Sequence, residues 1–188
     1  QPSTYRGLTL MKNVLVISTS LRTNSNSEAL ADAYLRGAAD AGHHTEKVTL
    51  RGKEIQFCRG CLACQQLGRC VIQDDAAEIS RKMHDADVIA FATPIYYYEM
   101  SGQMKTMLDR ANPLFPADYS FREIYLLATA ADADAHAVDG ALKGLEGWVA
   151  CFSRARLAKT LFCGGVTDIG DIQGNAALRQ AEDMGRLA

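Results

Sequence analysis

The sequence predicts an α/β domain built on a parallel sheet. Five short apolar runs alternate with segments of helical periodicity, the pattern of repeated strand–helix units. The clearest runs are apolar throughout, as strands covered on both faces must be. With 188 residues, 48% of them hydrophobic and 22% charged, one domain can enclose its own core.

Residues 12–18, Lys-Asn-Val-Leu-Val-Ile-Ser, read as the first strand. A polar loop follows over 19–27. Ala29, Leu30, Ala33, Tyr34 and Ala38 then recur at helical spacing up to Gly42. Residues 45–50 form the second strand. From Arg51 to Gln73 there is no period. Asp74 and Asp75 can cap a helix running to Ala86. Residues 87–93 are the third strand, ended by Pro94. Met104, Met107, Leu108 and Ala111 make the apolar stripe of a helix over 101–112. Residues 123–129 are the fourth strand, 138–154 a helix, 160–166 the fifth strand and 175–187 the last helix. Right-handed crossovers leave few topologies. The one expected is a flavodoxin-like, doubly wound five-stranded parallel sheet of order 2-1-3-4-5, with its ligand crevice at the carboxyl ends of strands 1 and 3.

Composition removes several classes of function. A net charge of −2 argues against a basic nucleic-acid surface. No apolar run reaches the roughly 18 residues of a membrane helix. Residues 1–10 hold one Arg and no apolar core of a signal peptide. They read as a leader or cloning remnant before a native start at Met11, with the domain spanning 11–188. Four of the six cysteines fall between Cys58 and Cys70. Such clustering points to metal or redox chemistry in a reducing, cytoplasmic compartment rather than to disulfides. Cys151 and Cys163 read as small buried hydrophobes.

Three loops carry the chemistry. The first, residues 18–27, packs Ser18, Ser20, Arg22, Asn24, Ser25, Asn26 and Ser27 between a strand and a helix start. Hydroxyls, amides and free helix N–H groups suit a phosphate, and Arg22 adds charge. The bland alternative is a solvated cap, because Ser25 and Glu28 stand at capping-box spacing. Neither G-x-G-x-x-G nor a P-loop is present. The second loop holds Pro94, Ile95, Tyr96, Tyr97 and Tyr98. Three tyrosines in a row suit a flat aromatic ligand, or else a core or subunit surface. Together the two loops fit a mononucleotide such as FMN better than NAD.

The third loop is Cys58-x2-Cys61-x2-Cys64-x5-Cys70. Four thiolates suit a [4Fe–4S] cluster or tetrahedral zinc. The compact triple favours iron–sulfur over zinc, and free thiols remain the third reading. Arg59 and Arg69 can offset thiolate charge. Elsewhere the readings are bland. His43, His44, His84 and His136 are tied to no motif, Trp148 is core or interface, and Asp109-Arg110 is an ion pair at a helix surface or end.

These marks, taken in order, resemble the flavodoxin-like NADPH-dependent FMN reductase family and, within it, the iron–sulfur flavoprotein branch. They are Ser20-Leu-Arg-Thr-Asn-Ser-Asn-Ser27, the four-cysteine loop with Val71-Ile-Gln-Asp-Asp75, Thr93-Pro-Ile-Tyr-Tyr-Tyr98 with Gln103-Met-Lys and Leu108-Asp-Arg110, and Gly165-Val-Thr-Asp-Ile-Gly-Asp-Ile172. The resemblance implies a phosphate loop at Ser18–Ser27 and a flavin border at Pro94–Tyr98. It also implies a third flavin-side loop at Thr129, Ala130, Ala131 and Asp132, and cluster ligands at Cys58, Cys61, Cys64 and Cys70. Many relatives carry Gly-Ser-Pro-Arg where this chain has Thr19-Ser-Leu-Arg22, a less permissive turn. The expected protein is a cytoplasmic FMN oxidoreductase fed by NAD(P)H or a ferredoxin-like donor, assembled as a homodimer or homotetramer. The flavin, rather than a protein side chain, is its catalytic group. The alternatives are a cluster-free NAD(P)H-dependent FMN or quinone reductase and, in another class, an electron carrier or zinc-stabilised binding module.

Overall fold

The computed structural model describes residues 10–188; nine of the ten residues read as a leader lie outside it. Its strands are β1 (Asn13–Ser18), β2 (His44–Thr49), β3 (Val88–Tyr96), β4 (Glu99–Met100), β5 (Glu123–Thr129) and β6 (Arg156–Cys163). Its helices are α1 (Asn26–Asp40), α2 (Ala63–Leu67), α3 (Asp75–Asp85), α4 (Gly102–Arg110), α5 (Asp139–Ala150) and α6 (Ala176–Arg186). Side-chain oxygens of Ser25, Asp74, Ser101 and Asn175 cap α1, α3, α4 and α6 by accepting backbone N–H bonds.

The sheet runs β2-β1-β3-β5-β6, all neighbours parallel. Successive residues feed two opposite cores, the period of two inherent in a strand. Leu15, Ile17, Ile89, Phe91, Ile124 and Leu126 face the core shared with α3, α4 and α5. Val14, Val16, Val88, Ala90, Tyr125 and Leu127 face the core shared with α1 and α6. On that side α1 and α6 approach until backbones meet. A Cβ on Gly37 would collide with the Glu182 carbonyl, and one on Gly185 with that of Tyr34.

Four details differ from expectation. The sheet has six strands rather than five, because β4 pairs antiparallel with the end of β3. Pro94 does not end β3: the β1 ladder stops at Ser18–Ala92, so the missing N–H lies beyond it. The last long strand begins at Arg156, where edge-strand Arg and Lys hide the apolar pattern, and closes at Cys163 before left-handed Gly165. Cys151, at the end of α5, is exposed; Cys163 is buried.

Candidate functional site

The carboxyl ends of β1, β3 and β5 lie side by side, and the loops leaving them build one cleft. β1 ends in buried Ser18, and buried Thr19 and Ser20 follow it. Asn24, with φ +56°, makes the left-handed step that lets Ser25 begin α1. Ser25 Oγ accepts from Glu28 N at 3.1 Å. A helix leaves its first N–H groups without intrahelical acceptors, and Asn26 and Ser27, the first two residues of α1, line the cleft.

A cavity of about 150 Å³ is lined by Ser20, Arg22, Ser25, Asn26, Ser27, Pro94, Ile95, Tyr96, Thr129, Ala130 and Ala131. Most of the residues predicted from three separate loops therefore meet here. Ser18 is buried and its Oγ lacks a partner among the described residues. Asn24, Tyr97, Tyr98 and Asp132 stand outside the lining. Tyr98 Oη donates to Asp132 Oδ2 at 2.9 Å, joining two of them. That bond draws Asp132 below the usual carboxylate range, behind a larger contribution from the Asp134 N–H.

The sequence reading missed Val166 and Thr167, which also line the cavity. Arg22 Nη1 donates to Thr167 O at 2.8 Å. Asn26 Nδ2 donates to Asp168 O at 3.0 Å, and Asn26 Oδ1 accepts from Ile172 N at 3.2 Å. Both predicted phosphate-loop side chains thus also hold the loop after β6. The polar residues following a strand at the same sheet end were the available signal.

Tyr97 and Tyr98 both sit at positive φ, +49° and +64°, in the turn between paired Tyr96 and Glu99. Turns of this class favour Asn-Gly, and bulky residues there are strained, at about 1–3 kcal/mol each. Tyr97 is fully exposed. Leu21 and Ile169 add exposed apolar surface nearby in sequence to the cavity lining.

The four cysteines line a second cavity with Arg110, Asn112 and Pro113. Its enclosed part is small, about 30 Å³; Cys58 and Cys61 are exposed, Cys64 buried and Cys70 between. N–H groups point at sulfur: Asn112 Nδ2 to Cys64 at 3.1 Å, Gly60 N to Cys58 at 3.4 Å and Ile72 N to Cys70 at 3.5 Å. Among the described residues no three His, Cys, Asp or Glu are grouped as if around a single ion. Zinc, with Zn–S of about 2.3 Å, would draw its sulfurs together tightly, whereas a four-iron cluster takes one thiolate per iron and spaces them further. The donor set, four thiols with N–H groups turned toward Cys58, Cys64 and Cys70, is of the kind a cluster takes.

Arg110 corrects the expected surface ion pair. It is 2% exposed and pairs with Asp74, while Asp109 pairs with Lys105. The reason is tertiary: the end of α4 is covered by the 56–74 segment, whose carbonyls Gln56 and Ile72 also accept from Arg110.

A sequence profile of the NADPH-dependent FMN reductase family matches residues 12–159. The chain belongs to this family. An iron–sulfur flavoprotein of Methanocaldococcus jannaschii is 40% identical over 101 residues, 54% of this chain and 52% of that protein. An iron–sulfur flavoprotein of Methanosarcina thermophila is 38% identical over 95 residues, 50% of each. The matches thus span about half the length of these curated relatives. Of solved structures, an NAD(P)H:quinone oxidoreductase from Methanothermobacter marburgensis superposes with a TM-score of 0.69 at 17% identity, over 94% of this chain and 96% of that one. This likeness is one of fold, and it confirms the flavodoxin-like architecture for this FMN reductase family member. No helix among the described residues is long and apolar enough to cross a membrane.

Proposed function

We propose that this protein is an FMN-dependent oxidoreductase supplied by NAD(P)H or a ferredoxin-like donor, with Cys58, Cys61, Cys64 and Cys70 holding a [4Fe–4S] cluster. The observation that carries the reading is the single cleft in which the start of α1, the Pro94–Tyr96 segment and Thr129–Ala131 meet. Bound FMN supplies two-electron hydride chemistry and one-electron release, and a cluster supplies one-electron exchange.

The chain's own residues bind and orient. The N–H groups of Asn26 and Ser27 and the hydroxyls of Ser20, Ser25 and Ser27 receive the phosphate, aided by the positive end of α1. Arg22 brings positive charge to the cavity wall from its seat on Thr167 O. Backbone at Ile95, Tyr96, Ala130 and Ala131 borders the ring, with Asp132 and the Tyr97–Tyr98 turn at its edge. The enclosed volume is below the roughly 300 Å³ of a typical small-ligand site. It would therefore hold the phosphate and sugar chain, with the ring reaching past Ile95, Tyr96, Ala130 and Ala131 at its rim toward an outer surface. The exposed tyrosines support a homodimer or homotetramer in which a second copy covers that ring. Six free cysteines fit a cytoplasmic setting.

The names of the matched relatives support the cluster, as does the cavity shared by its four thiols. A cluster-free NAD(P)H-dependent FMN or quinone reductase is the second reading. It is favoured by the small enclosed volume and the exposed Cys58 and Cys61. Anaerobic purification followed by absorption, iron and sulfide analysis separates the two: flavin bands without iron select the second. For the flavin site, the Ser20→Ala/Arg22→Ala pair should lose FMN on gel filtration and lose its preference for FMN over riboflavin. Unchanged flavin content would refute the assignment.

A further inference from the structure

Arg110 makes an unusual set of bonds for a residue 2% exposed. Nη1 donates to Asp74 Oδ2 at 2.7 Å and to Gln56 O at 2.8 Å. Nη2 donates to Asp74 Oδ1 at 2.8 Å and to Ile72 O at 3.3 Å. The fork is bidentate and locked. The remaining donor, Nε–H, is buried and has no hydrogen-bond partner among the described residues. Buried donors are rarely left so, and an unmet one asks for an explanation.

The surroundings supply one. Arg110 lines the same cavity as all four clustered cysteines. Its charge is held first by the Asp74 hydrogen bonds, against the effect of burial, and Cys70 adds to that hold. Asn112, two residues on, already donates to Cys64, and Ile72 N donates to Cys70. The end of α4 and the segment before α3 thus turn N–H groups and one fixed cation toward sulfur. Hydrogen bonds to sulfur and nearby positive charge stabilise thiolates and raise the potential of clusters they hold.

We propose that Arg110 is the positioning residue of the cysteine cavity: locked by Asp74, it holds a fixed positive charge and an unpartnered Nε–H in the wall that it shares with the four thiols. In that position it governs both retention and reduction potential of the group the four thiols carry. The proposal rests on the reading of those thiols as cluster ligands. It adds a role for a side chain outside the ligand set.

The test compares anaerobically reconstituted wild type with the neutral pair Asp74→Asn/Arg110→Gln and with Arg110→Lys. FMN content and circular dichroism report the fold. Iron, sulfide and an EPR-monitored redox titration report the cluster. The neutral pair should keep its FMN. It should either lose iron or shift the oxidised-to-reduced ratio at fixed potential at least tenfold toward oxidised, ~59 mV for a one-electron couple. Arg110→Lys, which keeps the charge, should recover most of that shift. Full iron and an unchanged potential in the neutral pair would overturn the role of Arg110 and leave the cluster reading standing. Wild type that takes up no iron would overturn both. Should the neutral pair fail to fold, wild type alone decides: in arginine-labelled protein the Arg110 Nε–H resonance should move or broaden on cluster loading, and an unmoved one overturns the proposal.

Discussion

Thr19 and Ser101 share a buried hydroxyl–hydroxyl hydrogen bond of 3.0 Å across 82 residues of chain. Thr19 directs its own proton to Ala92 O at 3.0 Å, so Ser101 is the donor. Ser101 Oγ also caps α4 by accepting from Met104 N at 3.3 Å, and Gln103 Nε2 donates to Thr19 O at 2.8 Å. The polar loop after β1 and the segment after the tyrosine turn are therefore one unit.

Thr19→Val keeps the shape and deletes this link. Ala92 O retains the Thr19 N–H bond of 2.9 Å, but the Ser101 proton loses its acceptor. Stability should fall by about 1–3 kcal/mol and FMN affinity should fall with it. Urea denaturation and flavin titration measure the two effects. An unchanged denaturation midpoint would mean that the link contributes nothing.

Tyr97→Gly separates strain from use. The residue is fully exposed and left-handed, so glycine removes strain and no packing. The variant should be as stable as wild type or gain up to about 1 kcal/mol. If the tyrosine serves the flavin ring or a second copy, FMN affinity or oligomer size should nevertheless drop. Equal affinity and equal size in gel filtration would deny it both roles.

Gly140 seats the tyrosine turn on α5, because a Cβ there would collide with the Tyr98 carbonyl. Gly140→Ala should destabilise by about 1–3 kcal/mol through overpacking and shift the visible spectrum of bound flavin. Gly147→Ala, on the same helix with open space around it, should instead stabilise by about 0.5–1 kcal/mol and leave the spectrum alone. Identical behaviour of the two would remove the seating argument.

Asp74 gives a signed pH dependence. Burial pushes its carboxyl up, but the Arg110 hydrogen bonds and the N–H groups of Gln56 and Ala76 outweigh this and hold it below the ordinary 3.8. A carboxyl lowered on folding contributes stability above that value, which is lost as pH falls through the folded value. Asp74→Asn should therefore be less stable than wild type at pH 7. The gap should narrow below about pH 4, as followed by denaturation at several pH values. A gap constant down to pH 2 would contradict the ion-pair account.

How much could be read in advance differs from one residue to another. Val14–Ile17 and Ile124–Leu127 announce themselves because each strand feeds two cores, leaving no polar face to confuse the pattern. Ser25 and Ser101 are recognisable caps because capping is local. β4 could not be foreseen, since Tyr97 and Tyr98 adopt a turn conformation that tyrosine disfavours. Arg110 could not either. Next to Asp109 at a helix end it looks solvated, and only the 56–74 segment, with a carboxylate 36 residues earlier in the chain, buries and pairs it. Cys151 misleads in the opposite direction, an apolar-looking residue that the end of α5 turns outward.

Local chemistry alone was enough for the strand and helix alternation, the capped helix starts, the hydroxyl-rich loop and the cysteine spacing, because each depends on neighbours within a few residues. Three things waited for the folded chain: the meeting of three loops in one cleft, the Thr19–Ser101 bond beneath it, and the burial of Arg110 beside four thiols. Those depend on contacts between residues dozens of positions apart, and sheet order and helix packing decide which distant side chains lose their water.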